Sequence, residues 1–188
     1  MTQEEIERSL RSHFEAELSG RVERYARARV QGIIPDGFFA AASSECREHF
    51  VAGKFYGCIT LAQSVAEGLA KFIAEKNGLE VVEDHGRQIN ILQRDRSAPT
   101  ISKEAYAAFR QIVGRPHEDR NEFHHLNASV EQDYRTLEAR ALECIESLYV
   151  MESEVFAVSY GEAGRINPVH RQYWSQDGDN LAVFPRLG

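Results

Sequence analysis

The chain has 188 residues, 43% of them hydrophobic and 27% charged, which is globular composition with enough apolar material for one domain of ordinary size and a small appendage. Its formal net charge of -7, from 29 acidic and 22 basic residues, excludes a surface that grips a phosphate backbone everywhere. Five prolines and thirteen glycines exclude a low-complexity or linker-rich protein.

The first residues, Met1 to Ile6, lack a basic stretch followed by an apolar run and do not read as a signal peptide. No apolar stretch escapes charge long enough to span a bilayer. A cytoplasmic protein with no membrane partner is expected. Cys46, Cys58 and Cys144 are widely spaced and odd in number, with no CxxC pair, and read as reduced thiols in a core.

In chain order, residues 3 to 31 read as one long helix. Ile6, Leu10, Phe14, Leu18, Val22 and Tyr25 recur at three or four residues, Thr2 can cap the start, and Glu4 and Glu5 fall in the first turn. Arg21, Arg24, Arg27 and Arg29 crowd its last third, either as a solvated face that suits the helix dipole or as ligands for RNA phosphates. Gly32 to Gly37, which includes Pro35, breaks the pattern.

A helical stretch then runs from Phe38 to about Asn77 with a weak point near Gly53. Its second part carries Ile59, Leu61, Ala62, Val65, Ala66, Leu69, Ala70, Phe72 and Ile73, the broad small-residue face of a central bundle helix. Asn77-Gly78 is a helix stop. Glu67 interrupts that apolar helix, at a wet edge or as part of a site.

Residues 85 to 95 form a short polar helix. Residues 97 to 100 form a loop. Ser102 opens a helix through Ala105, Phe109 and Ile112, and Gly114-Arg115-Pro116 interrupts it. From Val130 to Ala157 runs a last long helix with Tyr134, Leu137, Ala141, Leu142, Ile145, Leu148 and Met151 on one side and a capping box of Ser129 and Gln132. Val155 to Tyr160 and Leu181 to Pro185 are short β-type runs separated by turn residues. They read as a small ribbon lying on the bundle, with Tyr173-Trp174 as its apolar anchor.

The segment with chemistry in it is Arg120-Asn121-Glu122-Phe123-His124-His125. Histidine moves protons near neutral pH, and arginine holds a permanent charge in a planar fork that fits phosphate. Together they are a minimal kit for cleaving a phosphodiester without metal or other cofactor. Arg120 and His124 share a face of a regular helix, whereas Arg120 and His125 stand roughly 140° apart and converge only where the helix ends or distorts. Which of the two histidines acts is open.

Arg120, four intervening residues and His125 match the R-x4-6-H motif of the HEPN family, and Asn121 after the arginine is its commonest flavour. The stretch from Ala52 to Tyr56, leading to Ala66-Glu67-Gly68-Leu69-Ala70-Lys71, is similar to the opening of that family's central helix pair. The resemblance covers roughly residues 40 to 156.

It implies an up-and-down bundle of four or five helices; with the elements read above, the expectation is an all-α fold, an up-and-down bundle of four to six helices over residues 1–157 with the first helix as an extension, and residues 158–188 as a strand-and-loop tail outside the resemblance. It further implies a homodimer with the motif facing its copy, and a metal-independent endoribonuclease of the toxin or defence-effector kind, with an antitoxin-like protein as a partner. Arg120 would contact phosphate, His125 would do the acid–base work, and Asn121, His124 and Glu67 would be accessory. Glu118 and Asp119, just before Arg120, work against RNA binding.

A structural reading stands beside this one: Arg120 pairs with Glu67 or with a carboxylate of the last helix, and His125 caps its turn. The cluster of His117, His124 and His125 with Glu118 and Asp119 lacks a HExxH-like spacing for metal. No Walker-type or GxSxG pattern is present.

Overall fold

The computed structural model describes residues 1–29, 32–35, 37–94, 99–113, 133–160, 166–174 and 184–185. Six α-helices lie among them: α1 (Gln3–Arg27), α2 (Gly37–Val51), α3 (Phe55–Lys76), α4 (His85–Leu92), α5 (Lys103–Val113) and α6 (Tyr134–Val155). The architecture is the expected all-α bundle with a small appendage. No described helix is long and apolar enough to cross a membrane.

The core forms around α3, which buries Ile59, Ala62, Val65, Ala66, Leu69, Ala70, Ile73 and Ala74. Alanine on both flanks lets α2, α4, α5 and α6 approach it closely, and each enclosed Ile or Leu contributes about 1.5–3 kcal/mol. Helix α6 closes the bundle with Leu137, Ala141, Cys144, Ile145, Leu148, Met151 and Val155. Cys46, Cys58 and Cys144 are all free and buried in this core. Burial pushes the Cys58 thiol far up, and the other two sulfurs reinforce the shift.

The weak point near Gly53 is a full helix end. Gly53 N–H donates to Phe50 C=O and Lys54 N–H to His49 C=O, the paired bonds of a Schellman cap, with Gly53 at φ 72°. Gly78, at φ 64°, ends α3 in the same way, donating to Glu75 C=O while Leu79 N–H reaches Ala74 C=O. The following loop is clamped by buried Gln88, whose Oε1 accepts from Val82 N–H and whose Nε2 donates to Glu80 C=O.

Thr2 and Glu5 form a capping box at the start of α1, which ends at Arg27, short of the expected residue 31. Helix α6 starts at Tyr134 instead of Val130. Its cap is Asp133, whose carboxylate accepts from the N–H groups of Arg135 and Thr136. Ser129 and Gln132, expected to form that cap, lie outside the described residues.

The tail pairs differently from the sequence expectation. Val158–Tyr160 (β2) pairs antiparallel with Ile166–Pro168 (β3), its neighbour in the chain. Phe184–Pro185 (β4) pairs instead with Ile33–Ile34 (β1), a strand inside the Gly32 to Gly37 stretch that read only as a break in the helical pattern. Two β-branched residues suffice for a two-residue strand once a partner edge arrives, and no periodicity can announce so short a run. Tyr173 and Trp174 are both buried, as expected of an anchor. The Tyr173 ring packs at 5.9 Å from Phe72, and its hydroxyl accepts from Asn77 Nδ2 at 2.8 Å.

Candidate functional site

Arg120, Asn121, His124 and His125 lie outside the described residues, as do His117, Glu118 and Asp119. The structure describes the frame to which their segment is attached. Val113, the last residue of α5, and Asp133, before α6, are the described residues on either side of that segment.

That frame is polar. Arg140 of α6, buried apart from 8% of its surface, donates through Nη1 to Glu143 at 3.1 Å and through Nη2 to Gln111 C=O in the last turn of α5 at 3.2 Å. Gln111 Nε2 donates to the same Glu143 oxygen at 2.9 Å. One guanidinium thus satisfies a helix-terminal carbonyl that α5 cannot satisfy itself and locks the ends of the two helices that flank the motif.

Tyr134, the first residue of α6, sets its ring at a tilt 4.8 Å from that of Phe55, the first residue of α3. Its hydroxyl sits over Gly53, so the α2–α3 turn and the start of α6 form one unit. The turn also walls a groove of about 500 Å³ between α1 and α2, whose lining includes Arg21, Tyr25, Arg47, His49 and Lys54 together with the carboxylates of Glu45 and Glu48. Arg47 lies 4.1 Å over the Tyr25 ring. Cations and an aromatic face in one groove suit a phosphate chain with exposed bases. Sequence reasoning missed this grouping, because Arg47 and His49 come from α2 and meet Arg21 and Tyr25 only through packing.

The arginines at the end of α1 and just beyond it divide. Arg24 Nε donates to Val51 C=O at 3.0 Å, Arg27 pairs with Glu138 at 3.0 Å, and Arg29 lies 5.5 Å over Tyr149. These three tie α1 to the bundle, and Arg21 alone of the four lines the groove.

Glu67 lies farther along α3. It lies twelve residues into α3, roughly 18 Å along the axis from Phe55. Its Oε2 lies 2.9 Å from Nε2 of His85, the first residue of α4, and both side chains are largely covered. The pair joins residues eighteen apart through tertiary packing, and no spacing rule reveals it. Several carboxylates of the last helix also have partners: Glu138 with Arg27, Glu143 with Arg140, Glu152 with Ser43 in the core, and Glu154 with Ser102 at the start of α5. Among the described residues, no group of three or more His, Cys, Asp or Glu side chains is arranged to hold a metal ion.

Comparison with protein-family models, with curated proteins and with solved structures finds no match to this chain.

Proposed function

We propose that the protein is an HEPN-like, metal-independent endoribonuclease that acts as a homodimer, with Arg120 and His125 as its reacting pair. The observation that carries the reading is the Arg120-Asn121-x3-His125 sequence in the connection between α5 and α6 of an all-helical bundle. The groove of Arg21, Arg47, His49 and Lys54 supports it, since it supplies local positive charge on an acidic protein and abuts the turn that holds the start of α6.

The chemistry balances without a cofactor. A histidine takes the proton from a ribose 2′-hydroxyl, whose oxygen attacks the adjacent phosphorus. The bond from phosphorus to the 5′-oxygen breaks, a proton is returned to that oxygen, and the products are a 2′,3′-cyclic phosphate and a 5′-hydroxyl end. Arg120 steadies the charge on the phosphate oxygens. Asn121 and His124 would position substrate or backbone. A toxin-like enzyme in the cytoplasm, held in check by an antitoxin-like protein, fits the net charge, because the groove and not the whole surface would select RNA.

A non-catalytic dimerisation or protein-binding module is the second reading. It is favoured by α1, which carries an apolar row but buries no residue. The deciding experiment incubates the parent protein, His125→Ala and Arg120→Ala, each of confirmed fold, with a mixed RNA in EDTA. Cleavage by the parent alone, leaving cyclic-phosphate ends, supports the nuclease. Loss of thermal stability in both variants with no cleavage by the parent supports the module.

A further inference from the structure

Helix α1 runs for 25 residues, roughly 37 Å, and none of its residues is buried. Its large apolar side chains stand in solvent: Ile6 is 41% exposed, Leu10 66%, Phe14 49%, Leu18 45% and Val22 59%. A helix of this kind ordinarily owes its stability to the packing of its apolar face, and a contiguous exposed row of this length marks a contact surface.

The row has an internal symmetry. The five residues recur every four positions, and each step drifts by roughly 40° around the helix, so Leu10, Phe14 and Leu18 share a face with Ile6 and Val22 at its two flanks. In kind they are mirrored about Phe14: Leu10 and Leu18 flank it, and β-branched Ile6 and Val22 flank those. Near Phe14 the charges on this side are reversed about the same point, Arg8 facing an uncharged Gly20 and Glu5 and Glu23 farther out being alike in sign. Glu7 and Arg21 are each seven residues from Phe14, with opposite sign. Nearer in, Arg11 and His13 precede Phe14, and Glu15 and Glu17 follow it.

A helix with a symmetric apolar row and an antisymmetric charge pattern is complementary to itself when reversed. Antiparallel pairing lays Leu10 against Leu18, Phe14 against Phe14, Glu7 against Arg21, and the Arg11–His13 side against the Glu15–Glu17 side. Parallel pairing would set like charges together. The ion pairs already within α1, Glu7 with Arg11 at 3.4 Å and Glu17 with Arg21 at 3.5 Å, would meet their counterparts as a square of alternating sign.

We infer that α1 is the docking surface for α1 of a second copy of this chain, in an antiparallel pairing with Phe14 on the two-fold axis. A two-fold contact demands a self-complementary surface, and this helix supplies one. The inference shares the homodimer and Arg21 with the ribonuclease reading but rests on neither Arg120 nor His125, so a monomeric parent would remove the dimer from that reading and leave the cleavage assay of the Arg120 and His125 variants to decide its chemistry.

The test is the solution mass of the full chain by light scattering up to about 100 µM, a range that reveals even weak pairing. The parent should run at twice 21.3 kDa, and Phe14→Glu at the monomer mass with the helical signal of its bundle retained. Phe14 is not part of the core, so that variant keeps its fold. Glu7→Arg and Arg21→Glu should each raise the dimer dissociation constant about tenfold, and the double variant should recover it. Recovery identifies the contact between chains, because the double variant still opposes like charges within each α1.

A parent that is monomeric throughout, a dimer that survives Phe14→Glu, or a double variant that stays weak would each overturn the assignment. A monomer that sediments with vesicles of anionic phospholipid would overturn it in favour of a membrane surface.

Discussion

A Cβ atom built on Gly53 would lie 2.7 Å from the hydroxyl oxygen of Tyr134, across the contact that joins the α2–α3 turn to the start of α6. Gly53 also holds φ 72°, which side chains rarely adopt. Gly53→Ala therefore meets two penalties, left-handed backbone and a clash, and should cost about 1–3 kcal/mol in chemical denaturation. Tyr134→Phe removes the clashing oxygen, so the double variant should recover the steric part and leave the backbone part. Full additivity of the two substitutions would show that the close approach has no energetic weight.

Ser43 and Glu152 form a hydrogen bond inside the core, where Glu152 is 1% exposed. Ser43→Ala deprives a buried carboxylate of one donor and should lower stability by about 1–3 kcal/mol. Ser44→Ala, one residue along α2 and partly exposed, is the matched control and should change it far less. Equal melting temperatures for the two variants would contradict this account.

Asp133 sets the start of the last helix, and its acidity reports it. Its carboxylate accepts from the backbone N–H and hydroxyl of Thr136 and from Arg135 N–H, which hold its pKa below the ordinary value. A carboxyl lowered on folding stabilises above its unfolded pKa, and the stabilisation fades as pH falls through the folded value. Asp133→Ala should lower the melting temperature by a few degrees at neutral pH, with the gap to the parent closing in acid. A gap that is constant with pH would mean that the cap does not act through its charge.

Glu67 and His85 pair at 2.9 Å, roughly four turns of α3 away from the turn at Gly53. His85→Ala should lower stability by about 1 kcal/mol and leave any RNA cleavage unchanged. Loss of cleavage with stability intact would return Glu67 to the reacting site.

Trp174 is 3% exposed and anchors the tail, and Trp174→Ala should cost about 3–5 kcal/mol and increase proteolysis in the C-terminal segment. Unchanged proteolysis would mean that the tail is held elsewhere.

Much of the fold was legible in the chain itself. The apolar period of α3 and α6, the glycine stop at Gly78, the weak point at Gly53 and the Thr2 cap are local matters. Each is decided by residues within a turn or two of one another, so a sequence carries them whole. The arginine and histidine of the 120–125 segment are legible as chemistry for the same reason. What packing alone decided involves residues far apart in the chain: the pairing of Ile33-Ile34 with Phe184-Pro185, the Glu67–His85 contact, the groove shared by Arg21, Arg47 and Lys54, and the exposure of the α1 row. A periodic apolar face states that something covers it, and only the tertiary arrangement shows that this chain's own core does not, because burial depends on which surfaces meet and no local pattern encodes that.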